Sequence, residues 1–80
     1  MKNIRIRYYA ILREQAKRSD ETLSTQAATA AELYAELQPR HSFTLPAQQL
    51  KVAINAEFCE WNAALKDGDQ VVFIPPVAGG

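Results

Sequence analysis

The last ten residues constrain this chain most. Val71-Val72-Phe73-Ile74 is a strand apolar on both faces, and it runs straight into Pro75-Pro76-Val77-Ala78-Gly79-Gly80. The two prolines fix φ and favour a stiff, extended exit. Gly79 and Gly80 lack a Cβ, so a narrow channel can close around the backbone and reach the terminal carbonyl. Fully extended, residues 75–80 reach roughly 20 Å. Nothing after Phe73 is expected to join a core. The pattern suits a carboxyl terminus that enters another protein's active site. The plainer alternative is a frayed end, but two prolines directly after an apolar strand speak against it.

Eighty residues make one domain near the small end of what folds unaided. An apolar share of 48% is ordinary for a globular domain and excludes general disorder. Nine basic and nine acidic residues cancel, so no charge excess favours nucleic acid or an anionic membrane as a partner. The single cysteine, Cys59, excludes an internal disulfide and a cysteine-built zinc site. The amino-terminal stretch alternates charged and apolar residues, unlike a signal peptide. No apolar run approaches bilayer length. The expected class is a small, soluble, cytoplasmic protein that binds no metal.

Ile4, Ile6 and Tyr8 alternate with Arg5, Arg7 and Tyr9, which predicts a strand with the first set buried and the second set outward. Residues 10–17 are good helix formers and predict a short helix. Residues 21–25 form a weak second strand. Thr29 and Glu32 have capping-box spacing and open a helix with Ala30, Leu33, Tyr34 and Leu37 on one face. Pro39 is expected to stop that helix, leaving 40–49 as a loop. Residues 50–55 predict a strand, followed by a turn at 55–57 and a short strand at 58–61. Asp67-Gly68-Asp69 is a turn leading into the last strand. A mixed sheet on one main helix would bury the periodic faces. One pair of the last strand, Val71/Phe73 or Val72/Ile74, must then face away from that helix. Either it is a partner site, or the short helix at 10–17 covers it.

Catalytic constellations are missing. His41 falls in the expected polar loop without an obvious carboxylate partner and reads as a solvated residue. Cys59 has Glu60 beside it and no basic neighbour, so it reads as a half-buried strand residue with an unactivated thiol. Gly68 is the only glycine before the tail, so there is no glycine-rich phosphate loop. Asp67 and Asp69 read as turn formers. The terminal carboxylate of Gly80 is the one group placed for chemistry. It is unreactive toward sulfur until activated, for example as an acyl-adenylate made by an ATP-using partner.

Three segments carry a resemblance. Asp67 to Gly80 is similar to a "DGDEVAFFPPV-small-GG" ending, Tyr8-Tyr9-Ala10-Ile11-Leu12-Arg13-Glu14 to a first strand and following helix, and Val52-Ala53-Ile54-Asn55 to an "-AVN-" strand end. Together they resemble the small subunit of molybdopterin synthase, a ubiquitin-like sulfur carrier, over essentially the whole chain. The resemblance implies an α+β fold of the ubiquitin-like β-grasp type, with residues 1–74 as the domain and 75–80 as an extended, flexible tail. It implies that an E1-like adenylyltransferase spends ATP to adenylate Gly80, which then becomes a thiocarboxylate. The tail, Pro75, Pro76, Val77, Ala78, Gly79 and Gly80, would insert into the large subunit of molybdopterin synthase. There its sulfur would pass to cyclic pyranopterin monophosphate. The chain would bind no cofactor and have no active site of its own, serving as the sulfur-donor subunit of a transferase complex. Tyr9, Arg13, Phe58 and Ile74 match the family's partner contacts, with Tyr9 and Ile74 standing where phenylalanine is frequent. Carriers for thiazole synthesis or tRNA thiolation are alternatives, and Pro75-Pro76-Val77 argues against the thiazole carrier. A β-grasp interaction module without carboxylate chemistry is a third reading.

Overall fold

The structure is a computed structural model, and it describes residues 1–76. The elements run β1 (Lys2–Tyr8), α1 (Ala10–Ala16), β2 (Asp20–Thr25), α2 (Ala30–His41), a 3-10 turn (Ala47–Gln49), β3 (Lys51–Ile54), β4 (Glu57–Cys59) and β5 (Gln70–Ile74). The strands form one five-stranded sheet in the order β2-β1-β5-β3-β4. β5 lies at its centre, parallel to β1 and antiparallel to β3.

Period two decides which side chains are buried. Ile6 stands opposite Val71 and Tyr8 opposite Phe73, and all four are buried. Val52 continues the Phe73 row on β3. α2 lays Ala30, Leu33, Tyr34 and Leu37 against this face, while α1 adds Leu12 and Ala16 to the same cluster. Tyr34 and Phe73 ring centroids lie 5.2 Å apart, and Phe43 stacks on Tyr34 at 5.8 Å. The Tyr34 hydroxyl donates to the Leu45 carbonyl at 2.6 Å, so this buried aromatic keeps its polar end paired. One mixed sheet on one main helix is the expected architecture.

Three expectations need correction. Pro39 does not stop α2; it sits inside the last turn, and the helix runs on to His41. Pro39 and Ala35 both lie on the exposed side, so the carbonyl deprived of its N–H partner is on the wet face of the helix. The helix ends instead at Ser42, whose φ of 56° is left-handed, with the Phe43 N–H donating to the Gln38 carbonyl at 3.0 Å. Second, residues 40–49 are not one loop: the first two complete α2, and 47–49 form the 3-10 turn. Third, α1 does not cover the second face of β5, because its apolar side is spent on the main core. At the end of β5 the core cluster stops at Phe73, as expected, while Ile74 is half-buried and Pro75 is buried outside that cluster.

Two turns fix the strand ends around β5. Asn55 and Ala56, both at positive φ, make a tight hairpin between β3 and β4. Gly68 takes φ +89° between Asp67 and Asp69. Asp67 Oδ1 accepts from the Asn3 N–H at 2.7 Å, and Asp69 Oδ1 accepts from Asn55 Nδ2 at 2.9 Å. The two carboxylates therefore tie the turn to β1 and to the hairpin, the turn-forming role expected from their spacing.

Candidate functional site

The sheet face turned away from α2 carries an apolar strip. Register places Arg7, Val72, Ala53 and Phe58 side by side across β1, β5, β3 and β4. On the next row, Ile74 stands beside Lys51. Ala53 is buried yet stands outside the main core cluster, because its neighbours on this outer face cover it. No helix among the described residues lies over the strip. It forms a groove of about 570 Å³ lined by Tyr9, Val72, Ala53, Phe58 and Ile74, with Arg7, Gln70, Asn55 and Ala56 completing the lining. Phe58 is 70% exposed and Tyr9 43% exposed.

A second groove, of about 610 Å³, opens on the other side of Tyr9 and Ile74. Ala10, Ile11, Leu45, Pro75 and Pro76 complete its lining. Tyr9 and Ile74 thus stand between two apolar grooves, at the place where Pro75-Pro76 leaves the sheet. A larger hollow of about 680 Å³ lies beside β4, bordered by Leu50, Lys51, Val52, Cys59, Glu60 and Trp61 as well as Phe58. It does not touch the tail root.

Of the partner residues expected from the sequence, Tyr9, Phe58 and Ile74 line one groove. Arg13 does not; it is exposed on α1, where its carbonyl caps the helix by accepting from the Lys17 N–H at 2.9 Å. Tyr9 faces outward, as its parity requires, although it follows β1 and caps α1. Pro75 and Pro76 line the second groove, while Val77, Ala78, Gly79 and Gly80 lie outside the described residues. Ala53 and Leu45 carry no sequence signal for the site. Their placement depends on the pairing of β3 with β5 and on the Tyr34 hydrogen bond to Leu45.

His41 is not a solvated loop residue. It closes α2 with its side chain only 11% exposed, and its Nε2 lies 2.7 Å from Oε2 of Glu21, itself 9% exposed. The Tyr8 hydroxyl donates to the same carboxylate oxygen, and Arg18 approaches the other at 3.4 Å. Burial pushes the Glu21 pKa up, but the hydrogen bonds from Tyr8 and His41, with the nearby positive charge including Arg18, outweigh it and hold the carboxyl below its ordinary value. Burial and the bond to Glu21 push the Tyr8 phenol up. The cluster ties β1, β2 and α2 together.

Cys59 sits half-buried on β4, with its Sγ 3.7 Å from the Val52 carbonyl. Burial, and to a smaller degree the Glu60 charge, pushes its thiol up, away from the reactive thiolate. Among the described residues no group of three His, Cys, Asp or Glu side chains is placed to hold a metal ion. No described helix is long and apolar enough to cross a membrane. What the described residues present here is an open apolar surface at the point where Pro75-Pro76 leaves β5.

Solved structures share this architecture. A Pyrococcus furiosus protein assigned as subunit 1 of a molybdopterin converting factor is 26% identical, with a TM-score of 0.81 over 96% of this chain and 100% of that one. A chain of the Helicobacter pylori complex of subunits 1 and 2 of molybdopterin-converting factor is also 26% identical, with a TM-score of 0.68 over 98% of this chain and 99% of that one. Small archaeal modifier protein 1 of Haloferax volcanii, at 20% identity, shares the fold with a TM-score of 0.81 over 96% of this chain and 100% of that one. The fold is the ubiquitin-like β-grasp. Comparison with curated proteins gives no match. Residues 6–80 match the model of the ThiS family, nearly the full length of the β-grasp domain and its tail, and the chain belongs to that family of ubiquitin-like sulfur carriers.

Proposed function

We propose that this protein is the sulfur-carrying small subunit of a molybdopterin synthase. One observation carries the reading: the apolar grooves meet at Tyr9 and Ile74, where the central strand hands over to Pro75-Pro76. A partner seated there would hold the tail root and fix the direction in which the tail enters its active site. The Helicobacter pylori relative, seen in a complex of subunits 1 and 2 of molybdopterin-converting factor, supports a large subunit as that partner.

In this proposal the Gly80 carboxylate attacks the α-phosphate of ATP on an E1-like adenylyltransferase. Pyrophosphate leaves and an acyl-adenylate forms. A sulfur nucleophile then displaces AMP, leaving a thiocarboxylate. In the large subunit the thiocarboxylate sulfur would bond to a carbon of cyclic pyranopterin monophosphate as a C–O bond at that carbon breaks, and water would then cleave the acyl C–S bond of the resulting thioester, leaving sulfur on the substrate and releasing the tail as a carboxylate. The domain positions the tail and supplies no catalytic side chain.

Carriers serving thiazole synthesis or tRNA thiolation share the family and the double glycine. Pro75-Pro76-Val77, which resembles the molybdopterin branch, favours the synthase. The test is intact-mass measurement. Incubated with adenylyltransferase, ATP and a sulfur donor, the protein should gain the mass of one oxygen-to-sulfur exchange, mapped to Gly80. It should then convert cyclic pyranopterin monophosphate only when the large subunit is present. A mass that never changes would sink the carrier reading; a thiocarboxylate that the large subunit cannot use would sink the pathway alone.

A further inference from the structure

The outer face of the sheet is charged as well as apolar, and its charges are mostly of one sign. Within the strands, the side chains on this face include Arg5, Arg7 and Lys51 but a single carboxylate, Asp20. The chain as a whole has zero net charge. Its acidic groups have thus been placed elsewhere, and this face keeps a cationic excess.

The cations border the apolar strip. Arg7 shares a row with Val72 and, among the described residues, is the only charged side chain in the lining of the first groove. Arg5 stands one row away, beside Gln70. Lys51 flanks Ile74 from the other side. All three are exposed. Among the described residues the ion pairs are Arg18–Glu21, Arg40–Glu36 and His41–Glu21, so none of the three cations is neutralised. Asp20 stands opposite Arg7 in the β1–β2 register without pairing to it.

We propose that this face selects a protein partner that presents an apolar ridge bordered by carboxylates. The inference rests on the carrier reading above and says which surface chemistry its partners must show. The apolar strip supplies contact area, and the arginines steer the approach and set its orientation, because their guanidinium forks engage carboxylates two bonds at a time. A nucleic acid fits less well. Its affinity would come from many phosphate contacts, whereas the centre of this face is apolar and only three cations rim it.

The test measures association of the whole protein with the large synthase subunit of the same organism by stopped-flow fluorescence. For the wild type the association rate should fall at least about tenfold between roughly 50 mM and 500 mM NaCl, where the screening length shortens severalfold. Arg5→Gln/Arg7→Gln should start about tenfold slower at low salt and lose most of that dependence. Asp20→Asn removes the one opposing carboxylate and should bind faster than wild type at low salt. Circular dichroism melts on each variant exclude misfolding, since all three positions are exposed. A double variant with wild-type rate and wild-type salt slope would overturn this inference while leaving the carrier reading intact. Absence of wild-type binding at either salt would overturn the synthase reading and this inference with it. Retention of a single-stranded oligonucleotide in preference to the large subunit, lost in the double variant, would also overturn it.

Discussion

Glu21 is the residue on which three elements converge. Its carboxylate accepts from Tyr8 at the end of β1 and bonds His41 at the end of α2, while belonging itself to β2. Its pKa is lowered on folding, so the sign is that of a depressed carboxyl. The stabilisation is fully present above the ordinary glutamate pKa and is lost as pH falls through the lowered value. Glu21→Gln should therefore cost about 1–3 kcal/mol at neutral pH, the scale for breaking charge-assisted bonds in a buried setting. The difference from wild type should shrink in acid. Urea titrations at both pH values check this; an equal loss at both would show that the charge is immaterial. The sequence did not reveal the cluster. Tyr8 and His41 stand 13 and 20 positions from Glu21, and no local pattern links such residues. Cys59, by contrast, was legible, because a lone cysteine beside an acid in a short strand has few other roles.

At the scale of elements, strand parity was the most legible signal. Alternation in β1 and the double apolar face of β5 both survive in the structure, since one buried face forces a period of two. Element ends were less legible. Pro39 reads as a stop, yet one missing N–H on the wet side of a last turn is outweighed by the packing of Leu37 and His41 on the other. The β3–β4 hairpin shows a similar compromise. Ala56 occupies φ 72°, a left-handed conformation in which its Cβ is crowded. Ala56→Gly should stabilise the protein by about 0.5–1 kcal/mol, with relief of that crowding exceeding the entropy glycine adds to the unfolded chain. Thermal melts decide it, and a lowered melting temperature would show that the turn is relaxed as it stands.

For the whole molecule, the division between the two sheet faces separates folding from docking. Phe73 and Ile74 are adjacent in sequence and serve opposite sides: one is fully buried beneath α2, the other half-buried in the open grooves. Ile74→Asp should leave the domain folded but weaken its complex with the large subunit by at least about 2 kcal/mol, the scale of an interface hot spot. Phe73→Asp should unfold it, because a buried unpaired charge has no compensation. Circular dichroism and calorimetric titration on the pair test the division. An Ile74→Asp protein that binds at wild-type affinity would refute the surface assignment. The grooves themselves were only half legible: the resemblance, not any local pattern, named Tyr9, Phe58 and Ile74, and their meeting depends on the pairing of β5 with β1 and β3. That pairing has a mechanical consequence. β5 runs parallel to β1, so a pull on the tail resisted at Lys2 loads the bonds between the two strands along their length and all at once. These bonds cannot open in succession, as the teeth of a zipper do, and the tail can be tugged from its far end without the strand that carries it peeling away.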